Sequence, residues 1–439
     1  MKDIRLVGDD IGREQVEAAI EAWLSEYPAR LRKVLLLPPD FTRGHSQAGL
    51  IVKVLYGMLA PQAQVDIMPA LGTHVPVSRD ERLEMFGPDI PEERFLVHNW
   101  RTDVVRIGEV PAEYVAEVSE GLVDYAIDVE VNRRLLDPSY DAIISIGQVV
   151  PHEVVGMANY TKNVLVGCGG KSMIDKTHFL GAVYGMERLM GRDHSPVRKV
   201  FDYAEERLLG SLPLQYVFTV TTAKSGRAAI RGLFAGRDRS LFEEAVRLSQ
   251  RHNFDLLDKP LEKVVVYLDP SHFKSTWLGN KAIYRTRMAI ADRGELIIIA
   301  PGVKQFGEDH LMDALIRKYR YSSAPQILEM VKQNADLAGS LSAAAHLIHG
   351  SSDRRFDIVY APGHLTRSEI ESVGFRYMPL AKAIARFNPD ALRDGYNTVD
   401  GEEVFYVSNP GLGLWSLAER FEDCLRGPRM RGARDQQWR

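Results

Sequence analysis

Residues 140–178 read YDAIISIGQVVPHEVVGMANYTKNVLVGCGGKSMIDKTH. Residues 140–147 are a short apolar run bounded by polar ones, the pattern of a central strand in a parallel sheet. Pro151 and His152 fall where that strand ends. In open α/β sheets ligands collect in the crevice beyond the carboxyl ends of strands, so His152 is expected to face a ligand. Lys162 and His178 follow, which puts three reactive side chains behind one buried strand.

Working outward, strands and helices alternate for most of the length, which favours parallel sheets over a sandwich or a helical bundle. Residues 32–37 read as a strand leading into PPDFTRGHS, 48–59 as a helix and 63–69 as a strand. The loop LGTHVP then precedes a helix start at 78–84, where Ser78 and Glu81 have capping-box spacing. His74 therefore sits on a strand-to-helix loop, a second position in the crevice. Residues 176–261 read as mainly helical with one strand at 214–221. A second alternating block starts at Lys263, with strands at 264–269, 295–300, 356–361 and 404–407 and helices at 275–292 and 309–319.

With 439 residues, 45% of them hydrophobic, the chain can fill two cores. The boundary is placed in LDKPLEK, residues 257–263, where a proline meets mixed charges. That gives two domains, 1–260 and 261–425, and a basic, solvated and disordered tail at 426–439. Lysine and arginine number 55 against 59 acidic residues, which gives no global case for nucleic acid. Two cysteines, Cys168 and Cys424, are too few for a disulfide framework. No apolar run has the length of a signal peptide or a membrane span, so the expected home is the cytoplasm.

Two familiar motifs fail. GCGGKS ends like a phosphate-binding P-loop, but the first glycine of that motif would fall at Leu165. No G-x-G-x-x-G follows the first strand, which weakens a nicotinamide-dependent dehydrogenase. His346 and His349, three apart near a helix end, read as favourable charges at a helix C-terminus rather than as a metal pair.

Each remaining polar residue also has an ordinary reading. Asp40 and Arg43 fit a turn carboxylate beside its neighbour, His74 a surface loop and His152 a satisfied core histidine. Lys162 and Lys281 fit solvated lysines, and His178 an ordinary residue near a helix start.

Together they do not read so blandly. PPDFTR, LGTH, VPHEVVG with a lysine ten residues after its histidine, and a further histidine sixteen beyond that lysine resemble the lactate racemase family. Four separated motifs in order are far more specific than any one. The resemblance implies two α/β domains with mainly parallel sheets and the active site in the cleft between them. It also implies a nickel-pincer nucleotide, nickel pyridinium-3,5-bisthiocarboxylic acid mononucleotide, whose own atoms supply most of the metal's donors.

Residue by residue, the resemblance makes Lys162 the covalent tether and His178 the nickel ligand, with Asp40 and Arg43 at the cofactor. It makes His74 and His152 the acid and base on opposite faces of the substrate, two groups of near-neutral pKa that take and return the hydroxyl proton. Arg43 and Lys281 fall at the substrate.

Two departures mark this chain. Trp277 and Leu278 stand where the lactate enzyme has tyrosine and glutamine, so Trp277 is expected to shape a pocket for an acid larger than lactate, such as a sugar acid. Ala158, Asn159, Tyr160 and Thr161 replace a glycine-rich approach to the tether. The expected partners are a small 2-hydroxy acid and the cofactor-synthesis proteins, without nucleic acid or membrane. The rival readings are a non-catalytic nucleotide or small-acid binding protein on the same scaffold, and a nicotinamide-dependent dehydrogenase.

Overall fold

Strands Lys33–Leu37 and Ala142–Gln148 lie parallel at the centre of a six-stranded sheet. Val34, Leu36, Ile144 and Ile146 fill one hydrophobic cluster, whereas Leu35, Leu37 and Ile143 fill another. Burial on both faces is why these strands read as near-continuous apolar runs. Gln64–Ile67 extends the parallel run on one side and Leu214–Lys224 on the other. The computed structural model describes residues 3–27, 30–224, 227–411 and 413–425; the tail expected at 426–439 lies outside them.

Several elements form as their sequence dictates. Helix Ala48–Leu59 buries Ile51, Val52 and Leu55 along one side. Helix Arg79–Phe86 starts with a true capping box: the Ser78 hydroxyl accepts the Glu81 N–H at 3.3 Å, and the Glu81 carboxylate accepts the Ser78 N–H at 2.9 Å.

The expectation of a mainly helical middle needs correction. Helices Lys171–Tyr184, Pro196–Ala204 and Arg239–Asn253 are present, but Arg227–Gly236 is a strand, antiparallel to Leu214–Lys224 and to the edge strand Ile4–Val7. Its alanine and glycine content carries no strand signature; the hairpin ladder makes it one.

In the second sheet, Arg376–Tyr377, Asp357–Pro362, Ile290–Ala300, Leu261–Tyr267 and Glu402–Val407 run parallel in that order, and Gly395–Val399 closes the edge antiparallel. The helix expected over 275–292 is instead two short helices, Thr276–Gly279 and Lys281–Thr286, followed by a strand from Ile290. The Leu261 N–H binds the Ala289 carbonyl at 2.9 Å, and Leu261 pairs with Ile290, which draws the chain into the ladder five residues early. The fold is α/β with mainly parallel sheets.

The strands of each six-stranded sheet lie wholly on one side of residue 260. Even so, one apolar cluster runs through both, from Leu35 and Ile143 to Val264 and Ile298. Helix Lys171–Tyr184 packs along helix Leu341–His349, and Phe254–Leu257 pairs in parallel with the returning strand Leu414–Leu417. Among the described residues no helix is long and apolar enough to cross a membrane.

The turn after the Lys162 helix is one of the tightest points among the described residues. A Cβ on Gly169 would lie 1.8 Å from the Leu165 carbonyl oxygen, a backbone atom that cannot swing aside. Gly169→Ala is expected to cost about 1–3 kcal/mol in chemical denaturation, the usual range for overpacking. An unchanged midpoint would contradict this packing.

Candidate active site

A pocket opens beyond the carboxyl ends of Lys33–Leu37 and Ala142–Gln148, where the sequence placed it, and its two walls come from the two sheets' halves of the chain. Asp40, Arg43, His74, His152, Lys162 and His178 line one wall; Trp277, Lys281 and the helix Leu341–His349 line the other. All eight side chains singled out from the sequence thus meet in one place.

His74 and Asp40 form a couple, with His74 Nδ1 2.9 Å from Asp40 Oδ2. Asp40 also accepts the Thr42 N–H at 2.8 Å, so it caps the short turn Phe41–Ser46 as well. Burial alone would raise the Asp40 carboxyl, but His74, Thr42 and Arg43 hold it well below the usual carboxylate range. An ionised Asp40 must accept, so neutral His74 carries its proton on Nδ1 and keeps a lone pair on Nε2. Asp40, expected at the cofactor, has His74 as its first partner here.

His152 is arranged the opposite way. The Val154 N–H donates to its Nδ1 at 3.1 Å, which leaves the proton of a neutral ring on Nε2. Burial, reinforced by the charges of Lys162 and Arg43 and opposed by Glu153, pushes its pKa well below the ordinary value. The expectation of two histidines near neutral pKa is therefore corrected for His152. Desolvation makes it a neutral N–H donor, whereas neutral His74 offers an acceptor at Nε2.

Lys162 is the second residue of helix Thr161–Leu165. Its approach is held in unusual backbone: Asn159 has φ +71° and Tyr160 +57°. Asn159 tolerates that conformation, its Oδ1 accepting the Tyr160 N–H at 2.8 Å, but nothing in the Tyr160 side chain favours it. Arg198, fully buried, supplies the constraint by donating to Met157 O at 2.7 Å, Asn159 O at 3.1 Å and Thr161 Oγ1 at 2.8 Å. The Tyr160 ring packs against Tyr216 at 4.6 Å and Phe242 at 5.2 Å. The Asn163 amide then donates to Leu37 O and Ser145 Oγ, both at 3.0 Å, which ties the lysine helix to the two central strands. Burial, and then the charge of Arg43, brings the Lys162 ammonium down to about 8.

His178 projects from helix Lys171–Tyr184, and its Nδ1–H donates to the Ile174 carbonyl at 2.6 Å. Burial, with the charge of Lys162, lowers it to about 4. The ring is neutral and presents the Nε2 lone pair, the state in which imidazole binds a metal. No group of three His, Cys, Asp or Glu side chains suited to a metal ion occurs among the described residues. A metal held at His178 would need donors from a bound group.

On the opposite wall Lys281 is not the solvated lysine of its ordinary reading: burial, and then Arg43, lowers it to about 7. Trp277 stacks on the His346 ring at 4.3 Å.

His346 and His349 are not charges at a helix terminus, which corrects that expectation. Both are buried, and burial lowers each to about 3. His346 Nδ1 lies 3.1 Å from Tyr284 Oη and its Nε2 3.0 Å from Tyr321 Oη. Ser342, Ala345, His346 and His349, spaced three, four and seven apart, line the pocket from one helix face. That spacing was legible in the sequence; that the face meets a pocket was not. Glu153 was also missed, although it adjoins His152. Burial would raise its carboxyl, but His152, Arg285 and Lys281 hold it well below its ordinary range.

Fold and site together define an α/β protein with a buried lysine, a metal-competent histidine and a carboxylate-backed histidine in one cleft. Residues 11–189 match the family model described as the lactate racemase N-terminal domain, so the likeness to the lactate racemase family holds in that part of the chain. A solved protein from Thermotoga maritima shares 24% identity at a TM-score of 0.83, covering 94% of this chain and 100% of its own. The lactate racemase apoprotein from Thermoanaerobacterium thermosaccharolyticum shares 15% at a TM-score of 0.67, covering 93% of this chain and 94% of its own. Both likenesses show the fold. Comparison with curated proteins gives no match.

Two expectations follow from these environments. In protein made without cofactor, acetylation of Lys162 followed by mass spectrometry is expected to rise with a midpoint near pH 8, and Arg43→Gln to move that midpoint upward; a midpoint at the ordinary 10.5 would refute the desolvated amine. The second concerns acid. His346 and His349 protonate at about 6.5 when unfolded but only at about 3 when folded, so stability is lost as pH falls from 6.5 toward 3. Urea midpoints at pH 7 and pH 5 check this, and His349→Phe is expected to flatten the difference.

Proposed function

We propose that this protein is an isomerase, a racemase or epimerase that inverts C2 of a 2-hydroxy acid larger than lactate with a lysine-tethered nickel-pincer nucleotide. The observation that carries the reading is the pairing of Lys162 and His178 on one wall: an amine brought down to about 8 and a neutral imidazole with Nε2 free. Around them the buried Gln148 Oε1 and Asn159 Nδ2 atoms, both of residues lining the pocket, have no partner in the protein. Buried polar atoms of this kind are costly unless a ligand meets them, so the residues present fit a polar bound group.

Lys162 would join the cofactor covalently and His178 would take the nickel, with Asp40 and Arg43 beside it. When bound, this group supplies a reversible hydride acceptor. The chain's own residues do the rest. Arg43 has no salt-bridge partner among the described residues, and with Lys281 it is placed to hold the substrate carboxylate. His74, backed by Asp40, takes the hydroxyl proton on Nε2 and can return it. His152 turns its Nε2–H toward the same oxygen and stabilises charge there.

A pure binding protein on this scaffold would have no need of a carboxylate-backed base beside a low-pKa lysine. A nicotinamide-dependent dehydrogenase would bind its dinucleotide without nickel.

The test uses protein made with the cofactor-synthesis proteins. Intact mass and nickel analysis are expected to show one cofactor and one nickel in the wild type and neither in Lys162→Ala. His74→Asn is expected to retain both while losing about 10²–10⁴-fold in inversion rate, the usual loss with a general base. A C2-deuterated acid is expected to keep its label through inversion; washout to solvent would eliminate hydride transfer, and nickel bound to Lys162→Ala with full activity would eliminate the tether.

A further inference from the structure

In the same pocket as Lys162 and His178, three buried polar atoms remain that nothing above employs. Glu153 Oε2, Ser342 Oγ and His349 Nε2 all belong to residues lining the pocket, and none has a hydrogen-bond partner in the protein. Ser342 and His349 come from helix Leu341–His349 and Glu153 from the turn after His152, so the three atoms reach the pocket from both halves of the chain. We infer that Glu153, Ser342 and His349 form a hydroxyl-binding subsite for substrate carbons beyond C2, which makes the substrate a polyhydroxy monocarboxylic acid. This rests on the 2-hydroxy acid reading of the same site.

The argument turns on which chemistry satisfies all three atoms. Glu153 is an ionised carboxylate and can only accept, so its partner must be a donor. His349 is a neutral imidazole and Ser342 a hydroxyl, so each can accept or donate to an uncharged group. A run of hydroxyls meets every one of these demands, because each O–H both donates and accepts.

The alternatives fail on the same atoms. A second carboxylate, as in a dicarboxylic acid, would lie against the charge of Glu153 in a site where burial magnifies repulsion. Glu153 is also the charge that acts most strongly on His349, so the two side chains belong to one locality. A methyl group, as in lactate, would leave all three polar atoms buried and unpaired, the arrangement by which polar pockets reject analogues that lack a hydroxyl.

The neighbouring groups are already committed. Both His346 nitrogens face tyrosine hydroxyls, and the ring supports Trp277 as a strut. Arg43 and Lys281 are reserved for the C1 carboxylate. What remains for recognising the rest of the substrate is Glu153, Ser342 and His349.

The experiment compares lactate, malate and four- to six-carbon aldonates. Inversion is measured on nickel-loaded protein, and binding is measured by calorimetry on the protein without cofactor. The aldonates are expected to exceed lactate and malate by about 100-fold or more in kcat/KM. Ser342→Ala and His349→Phe are each expected to lower the aldonate-to-lactate ratio of kcat/KM, and aldonate affinity, by about 10-fold. His349→Gln, which keeps a donor and an acceptor, is expected to recover part of the loss.

Preference for lactate or malate, or ratios that the variants leave unchanged, would overturn the subsite. If no acid is inverted but aldonates bind and the variants weaken that binding, the subsite stands and the racemase reading falls. If no aldonate binds, the subsite falls whatever the inversion assay shows. Urea midpoints on each variant separate lost recognition from lost folding.

Discussion

Arg43, Lys162 and Lys281 line one pocket, and the burial of the two lysines, reinforced by the Arg43 charge, sets the chemistry around them. Desolvation is the first cause of each depressed pKa here, and the Arg43 charge is the next for both lysines. Two carboxylates keep the cluster tolerable. Asp40 lies beside Arg43 and is spent on His74, while Glu153 balances Arg285 and Lys281. Without the core that runs through both halves of the chain, water would screen these charges. Lys162 would then be an ordinary ammonium.

The two histidines singled out as an acid and base pair differ because their Nδ1 atoms meet opposite partners. Asp40 fixes one as an Nδ1–H tautomer and the Val154 amide fixes the other as Nε2–H. A one-atom difference in backing thus separates a base from a donor. Arg198 plays a comparable part for the tether. Its three hydrogen bonds hold the segment in which Asn159 and Tyr160, both non-glycine, stand at positive φ, so a buried guanidinium steadies the approach to Lys162.

How far the sequence could be read depended on the range of the interactions. Capping at Ser78, the apolar runs of the central strands and the helix Ala48–Leu59 are local, and each formed as its residues dictate. Arg227–Gly236 and the early start of Ile290–Ala300 were misread because a distant ladder overrode local propensity. Among site residues, the motif positions were legible because Asp40, Arg43, His74 and His152 follow strand ends and Lys162 and His178 sit on the helices that come next in the chain. His346, His349 and Glu153 were not given their place, since their character comes from burial by segments far away in sequence.

The sequence by itself determined an α/β chain and the order of the segments that carry Asp40, Arg43, His74, His152, Lys162 and His178. Those are matters of local pattern and spacing, which a linear chain records directly. Only the tertiary structure decided which tautomer each histidine takes, how far Lys162 is stripped of water, and that one face of helix Leu341–His349 completes the pocket. Tautomer, desolvation and the opposing wall all depend on partners from other parts of the chain. No local pattern specifies them until the shared core brings the two halves together.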